Sequence, residues 1–223
     1  MIPDRRPLLI VSLPRNDGAL AEAARDAGAD ALKVHVNVRH LASGHAFGTL
    51  AEERPRLERV LALGLPTGLV PGEEVMVSSE EMPVIRAMGF AFLDVFVTHL
   101  APHLYEAGLP VVPALPHSAA EGYLASARDA PGAWVEAAVI PPEGYGRPPA
   151  DSDFETLRRV GKVTGKRLIV PAQRRIAPED VGRYCEIPQV WALMIGAVVT
   201  GTDPTSLAAA TAAFRRALDR LAR

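Results

Sequence analysis

Ala31-Leu32-Lys33-Val34-His35-Val36-Asn37 is an apolar run with Lys, His and Asn at alternate positions. Side chains on a strand point to opposite faces with a period of two. Lys33, His35 and Asn37 therefore share one face and Leu32, Val34 and Val36 the other. An amphipathic strand at the surface of a sheet has the same pattern. The rest of the chain favours the second strand of a closed barrel, with its polar face turned inward.

Outward from this stretch, short runs rich in Val, Ile and Leu recur eight times, each followed by a loop and a helical segment that stops near Gly. This is the alternation of a parallel sheet. Strands are expected near Leu8 to Leu13, Ala31 to Asn37, Thr67 to Val70, Phe92 to Val97, Val111 to Leu115, Trp134 to Ile140, Leu168 to Ala172 and Trp191 to Gly196. Ser78-Ser79-Glu80-Glu81 and Ser152-Asp153-Phe154-Glu155 fit the capping box, in which a hydroxyl and a Glu three residues later satisfy free amides at a helix start. Gly28, Gly64, Gly89, Gly108 and Gly165 stand where helices should stop. Leu63-Gly64-Leu65-Pro66 nearly repeats as Ala107-Gly108-Leu109-Pro110, which suits a repeated βα unit.

Eight such units in 223 residues predict an α/β chain folded as a compact (β/α)₈ TIM barrel, a single domain over 1–223. An open doubly wound sheet shares the local grammar. It would carry a Gly-rich phosphate loop after its first strand, and Leu13-Pro14-Arg15-Asn16-Asp17-Gly18 contains no G-x-G-x-x-G.

The composition, 48% hydrophobic and 22% charged with no Ser/Gly linker, suits one packed domain. A formal charge of -2 provides no global attraction to nucleic acid or an anionic membrane, so neither is expected as a partner. The single Cys185 excludes an internal disulfide, agrees with a reducing cytosol and reads as a small core residue rather than a nucleophile. Met1-Ile2-Pro3-Asp4-Arg5-Arg6-Pro7 is basic, but the apolar run after it is broken by Pro14 and Arg15, too soon for a signal peptide. No stretch approaches the roughly 18 apolar residues of a membrane span. A soluble, cytoplasmic protein is expected, and a homodimer stays open.

The barrel interior is filled by layers of side chains from alternate strands. By that rule Lys33 on strand two, Asp94 on strand four and Glu136 on strand six meet near the axis. Asp94 and Glu136 are isolated charges inside apolar strands, and a buried carboxylate needs a partner. The three could form a purely structural salt-bridge network, or one carboxylate could point outward to a helix. In the functional alternative they floor a site, with His35, Asn37 and Ser12 above them at the C-terminal strand ends. Two carboxylates beside Lys33 favour its ammonium form, which makes it a better electrophile than Schiff-base nucleophile. It would steady an enolate while a carboxylate or His35 moved the proton. That points to isomerisation or epimerisation ahead of class I aldol chemistry.

Val38 to Thr49 is too long for a minimal βα connection and holds two His, an Arg and two Gly, so it could close as a lid. His35, His40 and His45 match no metal motif, and Lys33 would repel a cation; neither a metal nor a cofactor is expected. Pro141 to Pro149 is a second candidate lid or a rigid Pro-rich loop. Barrel enzymes often hold a phosphate between loops seven and eight, on the amides of a short extra helix. Arg175, Gly196 and Ala197 are the candidates here, with Gln173 beside them for substrate; the alternative is an ordinary tight loop capped by Thr202 or Asp203.

At these residues the chain resembles the ribulose-phosphate-binding barrels, and among them the N-acetylmannosamine-6-phosphate 2-epimerase family. Gln173-Arg174-Arg175-Ile176-Ala177-Pro178-Glu179-Asp180 is similar to the family's E-G-R-I-x-T-P-E, and Gly196-Ala197-Val198-Val199-Thr200 to its G-S-A-I-T. Gly144-Tyr145 echoes a Gly-Tyr after its sixth strand. Lys33 stands where the family has an Arg, the family's strand-three lysine falls at about Pro71, and its strand-seven glutamate at Gln173. The resemblance thus implies a phosphate site at Arg175, Gly196 and Ala197 and a small phosphorylated substrate, while two acid/base groups of the epimerase are missing. The expected protein is a phosphate-binding barrel enzyme using Lys33, Asp94, Glu136 and His35. The alternatives are a Schiff-base lyase and a barrel that binds a phosphorylated metabolite without turnover.

Overall fold

The structure is a computed structural model that describes residues 7–106 and 108–221. Met1 to Arg6, most of the basic start of the chain, and Ala107 of the second Gly-Leu-Pro junction lie outside them. The chain runs β1 (Leu8–Ser12), α1 (Gly18–Asp26), β2 (Ala31–His35), α2 (Leu50–Leu61), β3 (Thr67–Val70), α3 (Met82–Met88), β4 (Phe92–Phe96), α4 (Pro102–Glu106) and β5 (Val111–Leu115). It continues with α5 (Glu121–Asp129), β6 (Trp134–Ala137), α6 (Asp151–Thr164), β7 (Arg167–Pro171), α7 (Val181–Cys185), β8 (Val190–Ile195), a short α8 (Ala197–Thr200) and α9 (Pro204–Leu221). The strands are all parallel and pair in chain order, and β8 returns to β1 to close a (β/α)₈ barrel.

Alternation along the strands divides the core in two. Outward residues such as Leu9, Val11, Leu32, Val34, Leu93 and Val95 pack beneath the helices, where Leu20, Leu57, Leu157 and Phe214 meet them. Inward residues Leu8, Ile10, Ala31, Phe92, Val112, Ile169, Ala192 and Met194 fill the barrel. Gly68 on β3 makes room for the Phe92 ring, since a Cβ at Gly68 would fall 2.2 Å from Phe92 Cζ. The Phe92 ring thus helps fill the lower barrel. At the N-terminal end of the strands the Arg167 guanidinium lies 3.8 Å from the centre of the Trp191 ring and 5.5 Å from that of Trp134.

The five glycines expected to stop helices all take positive φ, between 65 and 97°. The capping expectations shift. Ser78 N donates to Glu81 at 2.8 Å, but α3 starts after Glu81. In α6 the start lies earlier than expected: Ala150 is the N-cap and Asp153 accepts from its amide at 2.8 Å. A full capping box occurs instead at Thr49 and Glu52, opening α2. Cys185 packs partly buried against the core.

Candidate functional site

Lys33, Asp94 and Glu136 point inward from β2, β4 and β6, and β8 adds Met194 to the same cavity. Lys33 Nζ lies 3.1 Å from Asp94 Oδ2 and 2.7 Å from Glu136 Oε2. The three are 7%, 2% and 4% exposed, so water screens them little. Burial works against the Lys33 ammonium, but the pull of Asp94 and Glu136 outweighs it and holds the amine above its ordinary range. Two carboxylates and one cation cannot all be charged cheaply in a dry site. Burial, then the Glu136 charge, pushes the Asp94 carboxyl well above its ordinary range. Burial also opposes the Glu136 carboxylate, yet Lys33 holds it below its ordinary range. These shifts favour an ammonium at Lys33, a carboxylate at Glu136 and the protonated form of Asp94.

Three buried polar atoms of the wall, Ser12 Oγ, His35 Nδ1 and Asp94 Oδ1, have no hydrogen-bond partner among the described residues. Buried polar groups are normally satisfied, so such a cluster marks where a ligand supplies the missing partners. If Asp94 Oδ1 carries the proton, it is a buried donor that needs an acceptor, which a ligand oxygen would supply. The cavity opens at the C-terminal ends of the strands and encloses about 140 Å³.

The segment after β2 is a hairpin flap. Phe47 N donates to Val38 O at 2.8 Å and His40 N to His45 O at 2.9 Å. Its His40 ring stacks 4.8 Å from the His35 ring, with Phe47 4.8 Å from His35 on another side. Burial and the nearby cation Lys33 lower His40 to about 4, and burial, His40 and Lys33 hold His35 well below the ordinary imidazole range, so both rings favour the neutral form at pH 7. Buried Asn16 anchors the base: Nδ2 donates to His35 O at 2.7 Å and Glu53 at 3.0 Å, and Glu53 accepts from Gly48 N at 3.2 Å.

The Pro141 to Pro149 loop is clamped to β7. Gln173 accepts from Ile140 N at 3.0 Å and donates to the Tyr145 hydroxyl at 2.7 Å, placing Tyr145 on the cavity wall. Arg174 forks onto Asp153 with two 2.9 Å bonds and donates to Gly144 O at 3.2 Å.

Of the residues singled out in the sequence, Ser12, Lys33, His35, Asp94, Glu136, Gln173, Gly196 and Ala197 line this one cavity. Asn37 does not, because β2 ends at His35 and Asn37 turns to φ 54°, which breaks the alternation. Arg175 is exposed and off the wall; its amide holds Arg147 O at 2.9 Å, and Arg174 takes the inward place. The short α8 begins at Gly196, whose carbonyl accepts from Val199 N and Thr200 N, leaving the amides of Ala197 and Val198 ahead of these bonds. His40, weighed in the sequence only as a metal ligand and lid residue, Tyr145, noted only in the Gly-Tyr echo, and Glu73, not singled out, also line the cavity. Among the described residues, no three His, Cys, Asp or Glu are grouped to hold a metal, and no helix is long and apolar enough to cross a membrane.

No family model matches the sequence, and no curated protein matches it. Solved structures do. Phosphoribosyl anthranilate isomerase from Thermus thermophilus superposes with a TM-score of 0.69 at 17% identity, over 96% of this chain and 99% of that one. Tryptophan synthase from Mycobacterium tuberculosis does so at 0.71 and 16%, over 96% and 93%. What they share with this chain is the barrel. Orotidine 5'-monophosphate decarboxylase from Methanocaldococcus jannaschii follows at 0.65 and 13%, over 96% and 100%.

Proposed function

We propose that the protein is an enzyme that moves a proton beside the carbonyl of a small phosphorylated sugar or related compound, an isomerase or epimerase rather than a lyase. The observation that carries this reading is the Lys33 ammonium held against Asp94 and Glu136 on the cavity floor. An ammonium has three donors; two serve Asp94 and Glu136 and the third is available to a carbonyl oxygen. As the oxygen gains charge, Lys33 stabilises it and neutral Asp94 can supply a proton. A protonated Lys33 has no lone pair with which to form a Schiff base. The test is incubation with D-ribulose 5-phosphate or N-acetylmannosamine 6-phosphate in D₂O. Exchange of the proton beside the carbonyl is expected, with no borohydride trapping at Lys33. Trapping there would favour a class I lyase; binding with neither would favour a non-catalytic barrel.

The phosphate is assigned to the amides of Ala197 and Val198 beside Gly196, a proposal supported by the helix start at the cavity wall and by the phosphorylated compounds in two of the relatives' names. Lys33 is the one Lys or Arg on the wall among the described residues, and it is already paired. Titration with inorganic phosphate should therefore shift the Ala197 and Val198 amide resonances most. Arg175→Ala should weaken binding by less than about fivefold, as expected of an exposed charge. Shifts confined to other loops would refute the assignment.

A further inference from the structure

Removing a proton from carbon needs a base, and the floor supplies poor ones. Glu136 is tied to Lys33 at 2.7 Å, which suppresses its basicity. His35 and His40 are stacked on each other, and burial makes both weak bases. Glu73 differs. It is a half-buried carboxylate on the same cavity wall, with no hydrogen bond or ion pair to any described residue. The turn that presents it is fixed in shape: Gly72 sits at φ +144° in an antiparallel bridge with Met76, and Val77 N closes onto Pro71 O at 3.1 Å. A Cβ at Gly72 would lie 2.1 Å from Val75 O, so only glycine allows this turn.

Resting on the proton-transfer reading above, we infer that Glu73 is the catalytic base that takes the proton from the carbon beside the substrate carbonyl. The C–H electron pair becomes the C=C bond of an enediol while the carbonyl oxygen takes the proton of Asp94. In isomerisation the neighbouring hydroxyl returns a proton to Asp94, its oxygen becomes the new carbonyl, and Glu73 delivers its proton to the former carbonyl carbon. Both carboxyl groups end as they began. The groups facing Glu73 are Glu74 on its own loop, His99 after β4, Lys33 on the floor and Tyr145 from the loop after β6. Burial raises the Glu73 carboxyl, with His99 and Lys33 opposing, which moves it toward the range useful to a base at neutral pH.

The experiment measures deuterium exchange into D-ribulose 5-phosphate and N-acetylmannosamine 6-phosphate across pD, for wild type, Glu73→Gln and Glu73→Asp. Glu73→Gln should lose about 10²- to 10⁴-fold in rate at saturation, with half-saturation and thermal midpoint little changed. Its acid limb should vanish, while Glu73→Asp keeps the limb at a reduced rate. Exchange by Glu73→Gln within about threefold of wild type, or a fall in midpoint that accounts for the loss, overturns the assignment and leaves the proton-transfer reading standing. No exchange by wild type overturns both.

Discussion

Lys33→Met is expected to lose about 3 to 5 kcal/mol of folding stability at pH 8, the cost of breaking a buried ion pair. The substitution removes the cation that lies 3.1 Å from Asp94 and 2.7 Å from Glu136 and leaves the Glu136 charge uncompensated on an apolar floor. The loss should depend on pH with a definite sign. Without Lys33, burial raises the Glu136 carboxyl above its unfolded value. A raised carboxyl contributes stability in full below the unfolded pKa and loses it as pH rises through the folded one. The deficit should therefore shrink as pH falls from 8 toward 5. Urea midpoints at both pH values measure it; a midpoint equal to wild type at pH 8 would mean that Lys33 carries no paired charge.

Asp94→Asn should do the reverse, sparing the fold and removing the chemistry. Neutral Asp94 and Asn have the same shape and charge, and the Asn carbonyl can still accept from Lys33. Stability should stay within about 1 kcal/mol of wild type, the scale of one hydrogen bond. Deuterium exchange should fall by about 10²- to 10⁴-fold, the usual contribution of a general acid. Because the folded-state pKa of Asp94 is raised, wild type should lose ground to the variant as pH rises through it. Asp94→Asn as destabilised as Lys33→Met would mean that Asp94 is ionised in the fold.

Residues governed by strand periodicity were legible in the sequence. Lys33, Asp94 and Glu136 could be brought together on paper because alternation and the layering of a barrel fix which side chains face inward. The pattern stops where the strand stops, which is why Asn37, two residues beyond β2 and at φ 54°, was extrapolated too far. Arg174 and Arg175 are adjacent, and spacing alone could not say which one Asp153 would hold. Glu73, His40 and Tyr145 reach the cavity from loops shaped by turns and cross-loop bonds, which no period describes. Pro71-Gly72 before Glu73 was the available signal, since a glycine just past a strand marks a turn that needs it.

The stacking of Arg167 with Trp134 and Trp191 has a practical side. These are the chain's two tryptophans, and both stand at the N-terminal strand ends, opposite the cavity mouth. Their emission reports whether the barrel's base is intact and is shielded from what binds at the top. A loss of tryptophan signal in denaturant thus follows global unfolding, whereas occupancy of the mouth calls for a reporter placed on the flap, where Leu41 is 63% exposed beside the cavity.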